Sequence, residues 1–209
     1  MSVWLLLAAL GTDGGPSESI TVDDRVEYYR IEGRTARELV AQMELLGPVG
    51  SVTGRRATGY TQSEVVWEHS HEMREGACQL NYLDVSVTIV ITLPGWVRPR
   101  RAPPALVAQW EGFMANLREH EATHRQHGLQ AAVAVRQAIL AMPPHADCRS
   151  LERAIGKAAR QEIRRYVAAG RKYDALTDYG AKQGVRLHLE PPSPARRSRS
   201  DQVRHRATP

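Results

Sequence analysis

The chain has 209 residues, 42% hydrophobic and 24% charged, the make-up of one globular domain with tails and enough length to bury a core. Its formal net charge of +5 is unevenly placed. Arg196, Arg197, Arg199, Arg204 and Arg206 stand against Asp201 near the C-terminus, so the body is nearly neutral and no nucleic-acid partner is expected. No segment is long and apolar enough to predict a transmembrane span, and nothing in the sequence reports an oligomeric state.

In chain order, Val3 to Leu10 is a short apolar run, and Ala9-Leu10-Gly11 would serve as a small-x-small cleavage site. No Lys or Arg precedes the run, so residues 1–24 read as an incomplete signal segment with a loose polar end, and the protein as secreted or periplasmic. Val26 to Ile31 reads as a strand. Thr35 and Glu38 then make a capping-box pattern, with Leu39, Val40, Met43 and Leu46 following at helical spacing until Gly47-Pro48. Residues 47–59 form a loop. Tyr60 to Met73 alternates loosely, with Val65, Trp67, His69 and His71 on one face. From Leu83 to Leu93 the alternation is clean, and the two runs predict an antiparallel hairpin ending at Pro94-Gly95.

A long helix is predicted from Pro104 to Met142, ended by Pro143-Pro144, and a second from Cys148 to Tyr173, capped by Asp147. The second carries Leu151, Ala154, Ile155, Ala158, Ala159, Ile163 and Val167 on one face, and the short connection favours an antiparallel pair. The fold class expected is α+β: a small, mostly antiparallel three-stranded sheet packed on a pair of long antiparallel helices. The functional domain is placed at residues 25–182, and residues 183–209 read as a basic Pro/Arg/Ser-rich disordered tail.

The first long helix holds His120-Glu121-Ala122-Thr123-His124, the HExxH arrangement of zinc metallopeptidases. Two histidines four apart lie one above the other on a helix, close enough to grip one metal ion, with the glutamate on the flank as general base. Leu106, Trp110, Phe113, Leu117, His120, His124, Ala131 and Val135 share one stripe, so both histidines face inward. His69 and His71 also share a face, but strand i,i+2 pairs are common and no carboxylate partner is suggested by spacing. They read as ordinary sheet surface. Cys78 and Cys148 read as buried thiols in a reducing compartment and as a disulfide in an exported chain. A bridge would clamp the sheet to the helical layer and contribute about 3–4 kcal/mol.

The order of these elements resembles a bacterial domain-of-unknown-function family whose members are described as predicted secreted zinc-dependent proteases. Its marks here run from Tyr29-Arg30-Ile31-Glu32-Gly33-Arg34-Thr35 through Gly59-Tyr60-Thr61, Trp67, Cys78, Val87-Thr88-Ile89, Leu93-Pro94, the His120-to-His124 motif and Cys148. They close on Tyr173-Asp174 and Thr177-Asp178-Tyr179-Gly180. The resemblance implies export, a bound Zn2+ and peptidase-like chemistry on a peptide or protein substrate. Family members often carry Thr-x-His-Gly at the last of these marks, and that histidine is the natural candidate for a third ligand. Here Tyr179 takes its place, which leaves Tyr179 or the neighbouring Asp178 as the third ligand, with His127 behind them. On an unbroken helix His127 stands about 10 Å of rise from His120.

The leading expectation is therefore a zinc-dependent peptidase in which Glu121 is the base for a metal-activated water, held by His120 and His124. Two alternatives stand beside it. One is a non-catalytic exported binding or structural domain with a vestigial or structural metal. The other is a zinc amidase acting on cell-wall peptides.

Overall fold

Residues 83–93 alternate strictly, and that alternation becomes the central strand. The computed structural model describes residues 20–50, 54 and 56–189. In it β3 runs Ala77–Val97 and buries Leu83, Val85, Val87, Ile89, Ile91 and Leu93, each at most 8% exposed. β2 (Tyr60–Arg74) pairs antiparallel with β3 through the two-residue turn Glu75-Gly76, where both φ angles are positive, at 51° and 81°. That is the backbone twist a tight hairpin needs.

β1 (Thr21–Glu32) lies on the other side of β3 and pairs with it in parallel, giving the order β1-β3-β2. The sheet is therefore mixed, where the sequence predicted a mostly antiparallel one. Parallel neighbours require a crossover, and the chain between β1 and β3 supplies it. β3 also continues past Pro94-Gly95. Its pairing with β2 ends at Thr92, so from Leu93 onward it is bonded on the β1 side alone, where a proline's missing N–H is tolerated.

Three helices cover the sheet: the long pair and the shorter one that the capping box predicts. α1 (Ala36–Leu46) starts as the capping pattern predicts: Thr35 Oγ1 accepts from the Glu38 N–H at 3.2 Å, and Glu38 reaches back to the Arg34 N–H at 2.6 Å. Leu39 and Met43 of α1 join the same core as Ile31, Leu83, Leu117 and Ile155. α2 (Pro104–Leu140) continues unbroken through Gly128. α3 (Cys148–Thr177) is capped by Asp147, which accepts from the Ser150 N–H at 2.8 Å. α3 buries Leu151, Ile155 and Ala159, but Val167 is exposed. At 3.6 residues per turn the inward stripe steps instead through Ile163, Tyr166, Gly170 and Tyr173.

A disulfide joins Cys78 at the start of β3 to Cys148 at the start of α3. It points to an oxidising environment. Beside it, Cys78 and His145 exchange backbone hydrogen bonds at 2.7 and 2.9 Å. The chain stays on the body beyond residue 182: Gln183 ends a single 3₁₀ turn (Ala181–Gln183), and Leu187 is buried. The apolar leader at residues 3–10 and the arginine-rich segment at 196–206 lie outside the described residues. Among the described residues no helix is long and apolar enough to cross a membrane.

Candidate metal centre

Four residues per step along α2 bring His120 and His124 onto the face that meets α3. His120 is 5% exposed, its ring stacks on Tyr173 at 4.9 Å, and the His124 ring stands edge-on to both. One turn before the end of α3, Asp174 projects toward the two imidazoles. His124 Nε2 lies 2.9 Å from Asp174 Oδ1, His120 Nε2 lies 3.3 Å from the same oxygen, and the two Nε2 atoms are 3.3 Å apart.

Those three separations can be tested against a metal. Bonds of about 2.0–2.1 Å at tetrahedral angles put ligand atoms about 3.3–3.4 Å apart, so two edges of the triangle already have that length and the third is slightly short. The hydrogen bonding supports the same fit. Gln183 Oε1 lies 2.8 Å from His120 Nδ1, so in the neutral ring it accepts from Nδ1–H and the Nε2 lone pair faces Asp174 and His124. The Gln183 amide is held in turn by Tyr173, whose hydroxyl accepts from Nε2 at 2.9 Å. Three lone-pair donors thus converge, and a cation among them satisfies all three.

The electrostatics agree. Burial alone would lower the His120 pKa, but its bonds to Asp174 and Gln183 and the nearby carboxylate charges outweigh burial and hold it above its ordinary value. Burial would raise the Asp174 pKa, yet the hydrogen bonds from His120 and His124 hold it well below the usual carboxylate range. The centre favours positive charge.

Glu121 flanks this triangle and is 3% exposed. Burial pushes its pKa up, and the Thr61 hydroxyl and the imidazole charges offset that only in part. Thr61, on β2, donates to Glu121 Oε2 at 2.7 Å. The other oxygen lies against Gly59, where an added Cβ would come within 2.8 Å of it. That close approach requires glycine. Tyr29 fixes the neighbouring backbone by donating to the Thr58 carbonyl at 2.7 Å.

The two residues favoured by sequence as third ligand lie elsewhere. Asp178 closes α3 in the left-handed region and pairs with Arg186 at 3.1 Å. Tyr179 follows at φ 52° and is 69% exposed. Both belong to the turn after the helix, whereas Asp174 sits one turn earlier on the side facing α2. His127 packs near His124 with ring centroids 6.2 Å apart, outside the triangle. The turn serves the centre in a different way. Thr177 Oγ1 accepts from the Gly180 N–H, and Gly180, at φ 81°, passes under His120 so that Gln183 can reach it. Asp174, Gln183 and Thr61 were not singled out as site residues by spacing, although Asp174 and Thr61 lie within the family's marks.

Among the described residues, two further groups bring possible ligand atoms together: His69, His71 and Glu152, and His71 with Cys78 and Cys148. The two cysteines are bonded to each other, so the last group has no thiolate to offer. No curated protein and no solved structure matches the chain. The family model described as bacterial protein of unknown function (DUF922) matches residues 26–180, from within β1 to the turn that follows α3. The chain belongs to that bacterial family.

Proposed function

We propose that this protein is an exported zinc-dependent peptidase whose centre is His120, His124 and Asp174, with Glu121 as the general base. The observation that carries this reading is the convergence of three ligand atoms beside a buried carboxylate that makes no part of the ligand triangle. Bound zinc would supply Lewis-acid activation of water and of the carbonyl under attack. The chain's own residues do the rest. Gln183 holds His120 in the tautomer that presents Nε2. Thr61 pins one Glu121 oxygen, so the carboxylate keeps a single orientation while it accepts a proton from the attacking water and later delivers it to the leaving amine nitrogen. Burial pushes the Glu121 pKa above the ordinary carboxylate value, the direction that strengthens it as a proton acceptor.

Export is supported by the Cys78–Cys148 disulfide. We take the working unit as residues 25–182 extended through Leu187, because Gln183 and Leu187 pack onto it. Against the alternative of a vestigial or structural metal, Asp174 supports the reading of a third donor where Tyr179 replaces a histidine. Metal content of the purified chain tests the proposal. About one zinc at this centre, lost in a His120→Ala, His124→Ala variant, followed by cleavage of a peptide library that a Glu121→Gln variant does not cleave, is the expected result. If no zinc binds there when it is offered at neutral pH, the chain is a binding or structural domain. Zinc binding with cleavage of cell-wall amides alone would identify the amidase.

A further inference from the structure

The sequence gives His69 and His71 no carboxylate partner, but the fold does. Both rings leave the face of β2 that meets α3, and Glu152 stands in the first turns of α3 opposite them. His69 Nε2 is 2.8 Å from Glu152 Oε2, and His71 Nδ1 is 3.9 Å from the same oxygen. The three ligand atoms all lie within 4.8 Å of one another. We propose that His69, His71 and Glu152 form a second site for a divalent transition-metal ion, of the imidazole and carboxylate type that takes Zn2+, clamping β2 to the N-terminal turns of α3.

Three observations favour a metal over a simple His69–Glu152 ion pair. First, His71 Nδ1 is shielded from solvent and has no hydrogen-bond partner, so the ion pair leaves a buried polar atom unsatisfied that a cation would use. Second, the frame is already rigid. The Cys78–Cys148 bridge ties β3 to the residue four before Glu152, and Cys78 lies in the hairpin opposite Met73, two residues from His71. Third, Glu152 already lies near both rings. Ligand atoms around zinc sit about 3.3–3.4 Å apart, so its contact with His69 would open and its contact with His71 close by about half an ångström, while the two imidazole nitrogens, within 4.8 Å of each other, would draw together. The Glu152 side chain is 56% exposed, which leaves it room to move and leaves water free to complete the coordination.

This site is separate from the His120 centre. Glu152 and Asp174 are twenty-two residues apart on one continuous helix, about 33 Å of rise. Its presence or absence is therefore independent of the peptidase reading. The test starts from the untagged full chain carrying His120→Ala and His124→Ala, titrated calorimetrically with zinc chloride. About one zinc per chain should still bind and raise the thermal midpoint. Adding His69→Gln and His71→Gln should weaken that binding at least tenfold while circular dichroism and the disulfide stay intact. In the otherwise unchanged protein, the same two glutamines should lower zinc content by about one ion per chain. Failure of the first variant to take up zinc while folded, or zinc content indifferent to the glutamines, would overturn the second site and leave His69 as an ion-pair partner only.

Discussion

Burying a carboxylate as deeply as Glu121 opposes folding whenever the group is ionised. Its raised pKa means that the folded chain holds the proton more tightly than the unfolded one. Stability of the metal-free protein should therefore fall as pH rises above the ordinary glutamate value of 4.5. His120, also raised, adds a further loss above 6.5, while the depressed Asp174 contributes stability that disappears only as pH falls below its ordinary 3.8. Glu121→Gln should flatten the first of these slopes in a thermal scan of chelator-treated protein. In the zinc-loaded form the same change should leave metal content intact and reduce turnover by about 10²–10⁴-fold. Asp174→Asn should lower zinc content by about one ion per chain, whereas Asp178→Asn and Tyr179→Phe should leave it unchanged; elemental analysis of the three variants decides the ligand. That the two imidazoles lie one above the other was legible, because i,i+4 spacing on a helix is a geometric statement. The approach of Asp174 to them was not, because it depends on how α3 lies along α2, and no periodicity within α3 reports that.

The turn after α3 shows how an element's end can govern a side chain on its neighbour. Asp178, Tyr179 and Gly180 are left-handed in succession, and an added Cβ at Gly180 would come within 2.7 Å of Val185 Cγ2 and 3.3 Å of His120 Cγ. Gly180→Ala should cost about 1–3 kcal/mol in denaturant unfolding and loosen the metal as well, since Gln183 could no longer return to His120. An equal loss of stability with unchanged zinc affinity would detach the turn from the centre. Elements were readable from local pattern: the clean alternation in β3, the capping box of α1, the prolines around α2. Partners were less so. β1 carries polar residues from Thr21 to Arg25 that join the sheet only because β3 supplies a parallel neighbour. The likeness between a one-sided edge and a loop also hid the extension of β3 through Pro94.

On the scale of the whole molecule, one covalent bond and one core hold the sheet and the helices together. The disulfide closes a loop of seventy residues, and Cys78→Ser with Cys148→Ser should lower stability by about 4 kcal/mol, read as a fall in the urea midpoint. A midpoint unchanged by reduction would mean that the packing of α3 on the sheet suffices. The pairing of the two cysteines followed from compartment rather than from spacing, so sequence left both of its readings open until the fold brought them together.

Gln183 has one more consequence, in time rather than in space. Synthesis runs from the N-terminus, so both imidazoles and Glu121 exist fifty residues before Asp174, and the amide that sets the His120 tautomer comes later still. A chain cut after Thr177 would keep every donor atom and lose that amide, and should hold zinc about 10–100-fold more weakly in a competition with chelator. Full affinity in the cut chain would show that the tautomer is set by other means. A side-chain cluster assembled in this order closes last, its final part arriving only when the rest of the domain has been made.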